Sequence, residues 1–342
     1  MPKSLHYAVR ASSQATPPCS RRSYKWISKE IESLDPEVDY ARIWALTATY
    51  QVDDMFFNLL YALGMPRITQ NPHGSELLVN KTKKAIINKH QRAHDTLSHF
   101  WLWYENGPEH IDTQRSLEKI NRIHEALGKH SPLAFATDDF IYTASMLGST
   151  PHRLMQDIGL KGFSEKQKIA SHRFWRGIIM KMRSPEGYIE GFPESFEAME
   201  QFVEAFEARP WPSCDSGREL AEYTITQFSE AHFPRALQGF GRQILLTLQQ
   251  PHIRKLHGMA EPHPVAAWFI KRLFFVKGWL AEHVLPDPIL STPERMRAKG
   301  LSEQHQVPPM VAPENVPFAR DMKTAEPPGK QPAVIASGCP FH

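Results

Sequence analysis

The chain has 342 residues, 41% of them hydrophobic, enough for a substantial buried core in one large domain or two small ones. Its formal net charge is +3 with both signs spread along the chain, and no run of Lys and Arg is interleaved with aromatics, which argues against a nucleic-acid partner. Three widely spaced cysteines, Cys19, Cys214 and Cys339, argue against a disulfide framework and a zinc cluster, and point to a reducing, intracellular, cytoplasmic setting.

Residues 1–35 show no sustained periodicity. They carry Lys3, Arg10, Arg21, Arg22, Lys25 and Lys29, with no acid before Glu30. That composition fits a mitochondrial transit peptide, but a disordered basic tail is the favoured reading. The longest apolar stretch, Ile43 to Leu63, is interrupted by Gln51, Asp53, Asp54 and Asn58. Two adjacent carboxylates are costly at mid-bilayer, so the stretch reads as a buried helix and any membrane contact as peripheral.

A polar turn, Lys89 to Thr96, leads into Phe100, Trp101, Leu102 and Trp103 on one continuing helix. The segment Asp112–Gly128 is the clearest helix. Asp112 or Thr113 is placed to cap it, Gly128 to close it with a left-handed residue, and Leu117, Ile120, His124 and Leu127 share one face. The next helix starts at Thr137, with Asp138 and Asp139 favouring the positive end of its dipole, and Phe140, Thr143 and Leu147 on one face. Ser164 caps a helix running through Met182, and similar stripes cover Phe196–Phe206, Leu237–Leu248 and Val265–Ala281. Pro66, Pro132, Pro151, Pro185, Pro234 and Pro286 are expected between these segments or at their edges. After about Thr292 the chain turns rich in Pro, Lys and Glu and reads as a tail. The predicted architecture is all-α: a single bundle of roughly eight to eleven helices over residues 36–292, flanked by disordered tails at 1–35 and 293–342.

Which residues could carry chemistry? The sequence has no glycine-rich phosphate loop, G-x-S-x-G elbow, H-E-x-x-H or paired C-x-x-C, and no pair of E-x-x-H helices for a di-iron centre. His124 stands out because it occupies an apolar stripe. A lone histidine there is most often hydrogen-bonded to a backbone carbonyl, but a neutral imidazole on a buried face is also a natural axial ligand for heme iron. Arg92, Asp95, Thr96 and His99 fall along one side of their helix, suited to heme propionates or a water network. His90 and His94, one turn apart, are the alternative site, for a non-heme metal. Cys339-Pro340 carries a further, weaker thiolate option.

Three pieces in order carry a family resemblance: Gln91-Arg92-Ala93-His94-Asp95-Thr96, Lys119-Ile120-Asn121-Arg122-Ile123-His124 and Thr137-Asp138-Asp139-Phe140-Ile141-Tyr142-Thr143. Over about Tyr61 to Met182, and weakly near Phe274–Pro288, the chain resembles the catalytic domain shared by latex-clearing rubber oxygenases and the fungal oxygenase that trims an isoprenoid chain in mycophenolic acid biosynthesis. The resemblance implies an all-α fold, heme b, and dioxygen-dependent cleavage of carbon–carbon double bonds in a hydrophobic, isoprenoid-like substrate. It implies His124 as proximal iron ligand, Arg92, Thr96 and Thr143 as pocket residues, and Glu76 at the place of a glutamate base. Asp95 stands where rubber-cleaving members carry a lysine that caps the distal side of the iron. That departure keeps a non-catalytic heme-binding or carrier protein as the alternative to an oxygenase.

Overall fold

The computed structural model describes residues 23–81 and 88–299. They form an all-α bundle whose few extended residues are a two-stranded antiparallel hairpin, β1 (Arg183–Ser184) and β2 (Gly187–Tyr188). Among the described residues there are fourteen α-helices, more than the sequence periodicity suggests, because several are too short to show a stripe.

The first is α1 (Trp26–Ser33), inside the stretch expected to be a disordered tail. It buries Trp26, Ile27 and Ile31, and Ile27 N donates to Asp287 Oδ2 at 2.8 Å, a partner 260 residues away that no local pattern announces. The expected single helix over Ile43–Leu63 is broken. Helix α2 (Tyr40–Ala45) runs into a π-turn, Leu46–Tyr50, and stops before Asp53. Asp53 then caps α3 (Asp54–Ile68), its carboxylate accepting from Phe56 N at 2.7 Å. The carboxylates that ruled out a membrane span are thus helix-start residues. A short α4 (Pro72–Glu76) follows and continues as a second π-turn, Leu77–Lys81.

Helix α5 (Lys89–Asn106) and α6 (Ile111–Gly128) form an antiparallel pair. Trp103 Nε1 donates to Ser116 Oγ at 2.8 Å, and the same hydroxyl lies 2.7 Å from His99 Nδ1. The cap of α6 is His110, not Asp112 or Thr113, and Gly128 stays inside the helix with Lys129 at its C-terminal boundary, so no left-handed residue closes it. Helix α7 (Thr137–Asp157) starts at the expected residue. Ser164 caps α8 (Glu165–Ile179) in a reciprocal capping box with Gln167.

Helix α7 runs through the middle, against α3, α8 and α9 (Phe196–Glu207). At their closest approach a Cβ on Gly148 would lie 2.5 Å from Met199 Cε and 2.7 Å from Trp175 Cδ1, so only glycine lets the three helices meet. Two of the prolines expected at edges, Pro66 and Pro151, lie inside α3 and α7. Tertiary contacts fall near them: His257 Nε2 lies 2.7 Å from Pro66 O, and Ser171 Oγ donates to Gly148 O at 3.0 Å.

The largest core joins α2, α3 and α5–α9 around Trp44, Trp101, Phe174 and Trp175. A second joins α3 to α10 (Asp215–His232), α11 (Gln238–Leu248) and α13 (Pro264–His283), with α12 (Pro251–Leu256) between the last two. The last element, α14 (Thr292–Ala298), extends the fold past the expected boundary. A Ser291–Glu294 capping box starts it, and Arg297 grips both Glu105 oxygens at 2.9 and 2.6 Å. No described helix is long and apolar enough to cross a membrane.

Candidate functional site

His124 sits near the C-terminal end of α6, opposite the start of α5, because the two helices run antiparallel from the Ser116 clamp. Its ring lies 4.9 Å from that of Phe135 and 5.5 Å from that of Phe140, so the chain leaving α6 and the first turn of α7 fold over it. Nδ1 is buried and has no hydrogen-bond partner. Burial, and after it the positive charge of Arg92, lowers the His124 pKa to about 4, so the imidazole is neutral at physiological pH. The ordinary fate of a core histidine, a bond to a backbone carbonyl, is what His257 and His172 show, at 2.7 Å to Pro66 O and 2.8 Å to Pro193 O. His124 lacks it.

Arg92 supplies the second unusual feature. Its Nε is buried without a partner, and its positive charge acts on the phenol of Tyr61 of α3. Burial raises the Tyr61 pKa and the Arg92 charge opposes that rise, so the phenol stays protonated. Arg92 also lines a shallow cleft with Tyr61, Met65, Lys89 and Tyr223. Tyr61, Ile120, Phe135 and Leu147 pack against the main core and yet keep accessible surface, as do Arg92, His124 and Thr143. Of these only Tyr61 and Arg92 line the cleft, and the aromatic recess of His124 is the space that the rings of Phe135 and Phe140 enclose.

The structure therefore brings Arg92 to His124 and divides the rest of the expected set. Thr96 is half-buried on α5. Thr143 is half-buried and its hydroxyl donates to Asp139 O at 2.7 Å, inside its own helix. Asp95 is exposed and accepts from Gln91 Nε2 at 2.7 Å, so it belongs to the solvent side of α5. His99 turns to Ser116, and burial followed by the Lys119 charge lowers its pKa to about 4. Glu76 is exposed at the end of α4. His90 Nε2 lies 3.0 Å from Glu230, which also binds Lys89 at 2.8 Å, and His94 Nδ1 is 3.7 Å from Asp95. No cluster of three His, Cys, Asp or Glu suited to a metal ion occurs among the described residues. Cys339 lies outside them.

Three contributors have no signature in the sequence. Tyr61 and Phe135 read as ordinary core aromatics. Asp139 reads as a helix-dipole residue, yet burial, the largest influence on it, raises its carboxyl pKa against the hydrogen bond from Asn71 Nδ2 at 3.1 Å. Only its position one residue before Phe140, which packs on His124, hints at more.

Does this donor set fit a heme? An unpartnered neutral imidazole, apolar rings over it and an arginine with an unused N–H suit an axially ligated, propionate-bearing macrocycle. Neither a family model nor a curated protein matches this chain.

Proposed function

We propose that this protein is a heme b-dependent oxygenase that uses dioxygen to cleave a carbon–carbon double bond in a hydrophobic, isoprenoid-class substrate. The observation that supports this reading is the buried, unpartnered Nδ1 of His124 beside Arg92 in an aromatic recess. A polar atom left unsatisfied in a core costs about 1–3 kcal/mol, and an iron bound at the imidazole would offset that cost.

Bound heme would supply the oxygen chemistry. The chain's own residues do the rest. His124 stays neutral and keeps a lone pair available for iron. Phe135 and Phe140 exclude water from the imidazole. Arg92 offers a positive charge to a carboxylate edge beside the Tyr61 phenol.

A second reading has its own support. Asp95 and Glu76, the carboxylates nominated for catalysis, are both exposed, which suits a protein that binds heme without turning over a substrate. The non-heme alternative at His90 and His94 loses ground because His90 is engaged by Glu230.

The test is the visible spectrum of protein produced with heme supply. A Soret band that His124→Ala abolishes or shifts, that added imidazole partly restores, and that His90→Ala leaves alone is the expected result. Folded protein without a Soret band overturns both heme readings. Oxygen-dependent aldehyde or ketone formation from a polyunsaturated isoprenoid then separates oxygenase from carrier.

A further inference from the structure

Helix α13 is built back to front for a surface helix. Its inner face is fixed to the bundle by Ile270, fully buried, by Phe274, and by Gly278, where an added Cβ would lie 2.4 Å from Leu160 Cδ1. Its outer face should be polar. Instead Val265, Trp268, Phe269, Leu273, Val276 and Trp279 recur at helical spacing, and Trp268 and Phe269 are 64% and 52% exposed. From Val265 to Trp279 the stripe is about 21 Å long. Past the helix it continues into exposed Val284, Leu285, Ile289 and Leu290, beside Tyr24, whose hydroxyl donates to His283 O at 2.7 Å. Isolated exposed apolar side chains are unremarkable, but a continuous aromatic stripe of this length marks a contact surface.

The charges on the helix identify the contact. Arg272 is exposed within the stripe and Lys271 at its edge, and no described carboxylate lies within salt-bridge distance of either. The third cation, Lys277, is taken by Asp53 at 2.9 Å. Exposed Trp and Phe with unpaired Lys and Arg between them match an interface of acyl chains and anionic headgroups. A second copy of the chain fits worse. Two-fold antiparallel pairing would bring Arg272, close to the helix midpoint, against the Arg272 of the other copy with no acid on the stripe between them.

We propose that the outer face of α13 docks the protein on an anionic lipid surface, lying in the interfacial plane rather than crossing the bilayer. The assignment does not depend on the heme reading, though an enzyme for a water-insoluble substrate would gain from it.

The experiment is flotation of the full chain with phosphatidylcholine vesicles, with and without phosphatidylserine. Flotation that requires phosphatidylserine is expected. Replacing both cations, Lys271→Gln with Arg272→Gln, should weaken it roughly thirtyfold, and Trp268→Ser with Phe269→Ser by at least about tenfold. All four positions are exposed, so helical circular dichroism should not change. Any of three results overturns the proposal: no flotation of the parent chain, equal flotation with and without phosphatidylserine, or a dimer in light scattering that the Trp268 and Phe269 changes dissociate. Flotation only after removal of residues 300–342 would equally overturn it, assigning the stripe to the protein's own C-terminal segment.

Discussion

Tyr61 and Arg67 lie on the same helix, α3, and belong to two buried polar clusters built on opposite principles. Around Arg67 almost everything is paired. Its guanidinium reaches Glu207 at 2.8 and 2.6 Å and Thr150 Oγ1 at 2.7 Å. Tyr142 donates to Glu207 at 2.7 Å, Gln70 Nε2 to Tyr142 at 3.0 Å, and His252 Nε2 lies 2.9 Å from the second Glu207 oxygen. Only Gln70 Oε1 is left over. Around Tyr61 the set is incomplete: Arg92 Nε and His124 Nδ1 are both buried without partners. A polar cluster that satisfies itself asks for nothing and serves structure. One that leaves an imidazole nitrogen and a guanidinium N–H idle has room for a ligand's polar groups.

The largest effect should come from breaking the closed cluster. Arg67 and Glu207 side chains are 5% and 7% exposed. Glu207→Ala therefore strands a buried guanidinium and should cost about 3–5 kcal/mol, read from denaturant melts, with heme content per folded molecule unchanged.

Acid should separate the two clusters by pH window. Burial alone would raise the Glu207 carboxyl, but the bond from His252, the Arg67 charge and the Tyr142 hydroxyl together hold it at about 2. Its stabilisation is present above the ordinary value of 4.5 and is lost as pH falls from there toward 2. His124 and His99 act in a higher window. Their folded pKa values, about 4, lie below the ordinary 6.5, so between these limits the unfolded chain binds protons that the folded chain refuses. Stability should fall as pH drops from 6.5 to 4. Urea midpoints across pH should thus show two descending limbs. His124→Leu should flatten the upper one only in part, because His99 remains, as do His152, His172, His232 and His257, each also lowered by burial, and Glu207→Gln should flatten the lower.

The sequence made one half of this comparison legible and hid the other. His124 was visible because an imidazole interrupts an otherwise apolar stripe, and α5 to α8 because their lengths and, at Thr137 and Ser164, their starts follow local rules. The Arg67 cluster was invisible. It joins residues from α3, α7, α9 and α12, and the Tyr142–Glu207 bond alone spans 65 positions. Helical spacing also grouped Arg92, Asp95, Thr96 and His99 as one side. Each edge of that side meets a different neighbour, so Arg92 went to Tyr61 and His124, His99 to Ser116, and Asp95 to solvent.

A smaller effect sharpens the open cluster. If Nδ1 of His124 is idle in the heme-free chain, His124→Leu removes an unsatisfied group and fills similar space. Heme-free stability should then hold or rise by about 1 kcal/mol, while the Soret band is lost. A loss of several kcal/mol without heme would mean that the imidazole is a structural residue after all, and the contrast with Glu207 would disappear.

The smallest effect tests the wall of the recess. The sequence places Gly128 where a left-handed closing residue is expected, and there Gly128→Ala would cost about 1 kcal/mol or more. In the fold Gly128 is not among the residues of positive φ, and the next residue, Lys129, has φ −58° and ψ −27°. An added Cβ would lie 3.7 Å from both Phe135 Cδ2 and Pro185 Cγ, ordinary van der Waals contact. Gly128→Ala should therefore stabilise the protein by about 0.4–1 kcal/mol, through reduced freedom of the unfolded chain, read as a raised urea midpoint at constant slope. Because Phe135 packs on His124, the same variant reports on the recess. Unchanged heme affinity means that Phe135 already stands where the cofactor needs it, and a drop in affinity means that the ring must move toward Gly128 to admit it.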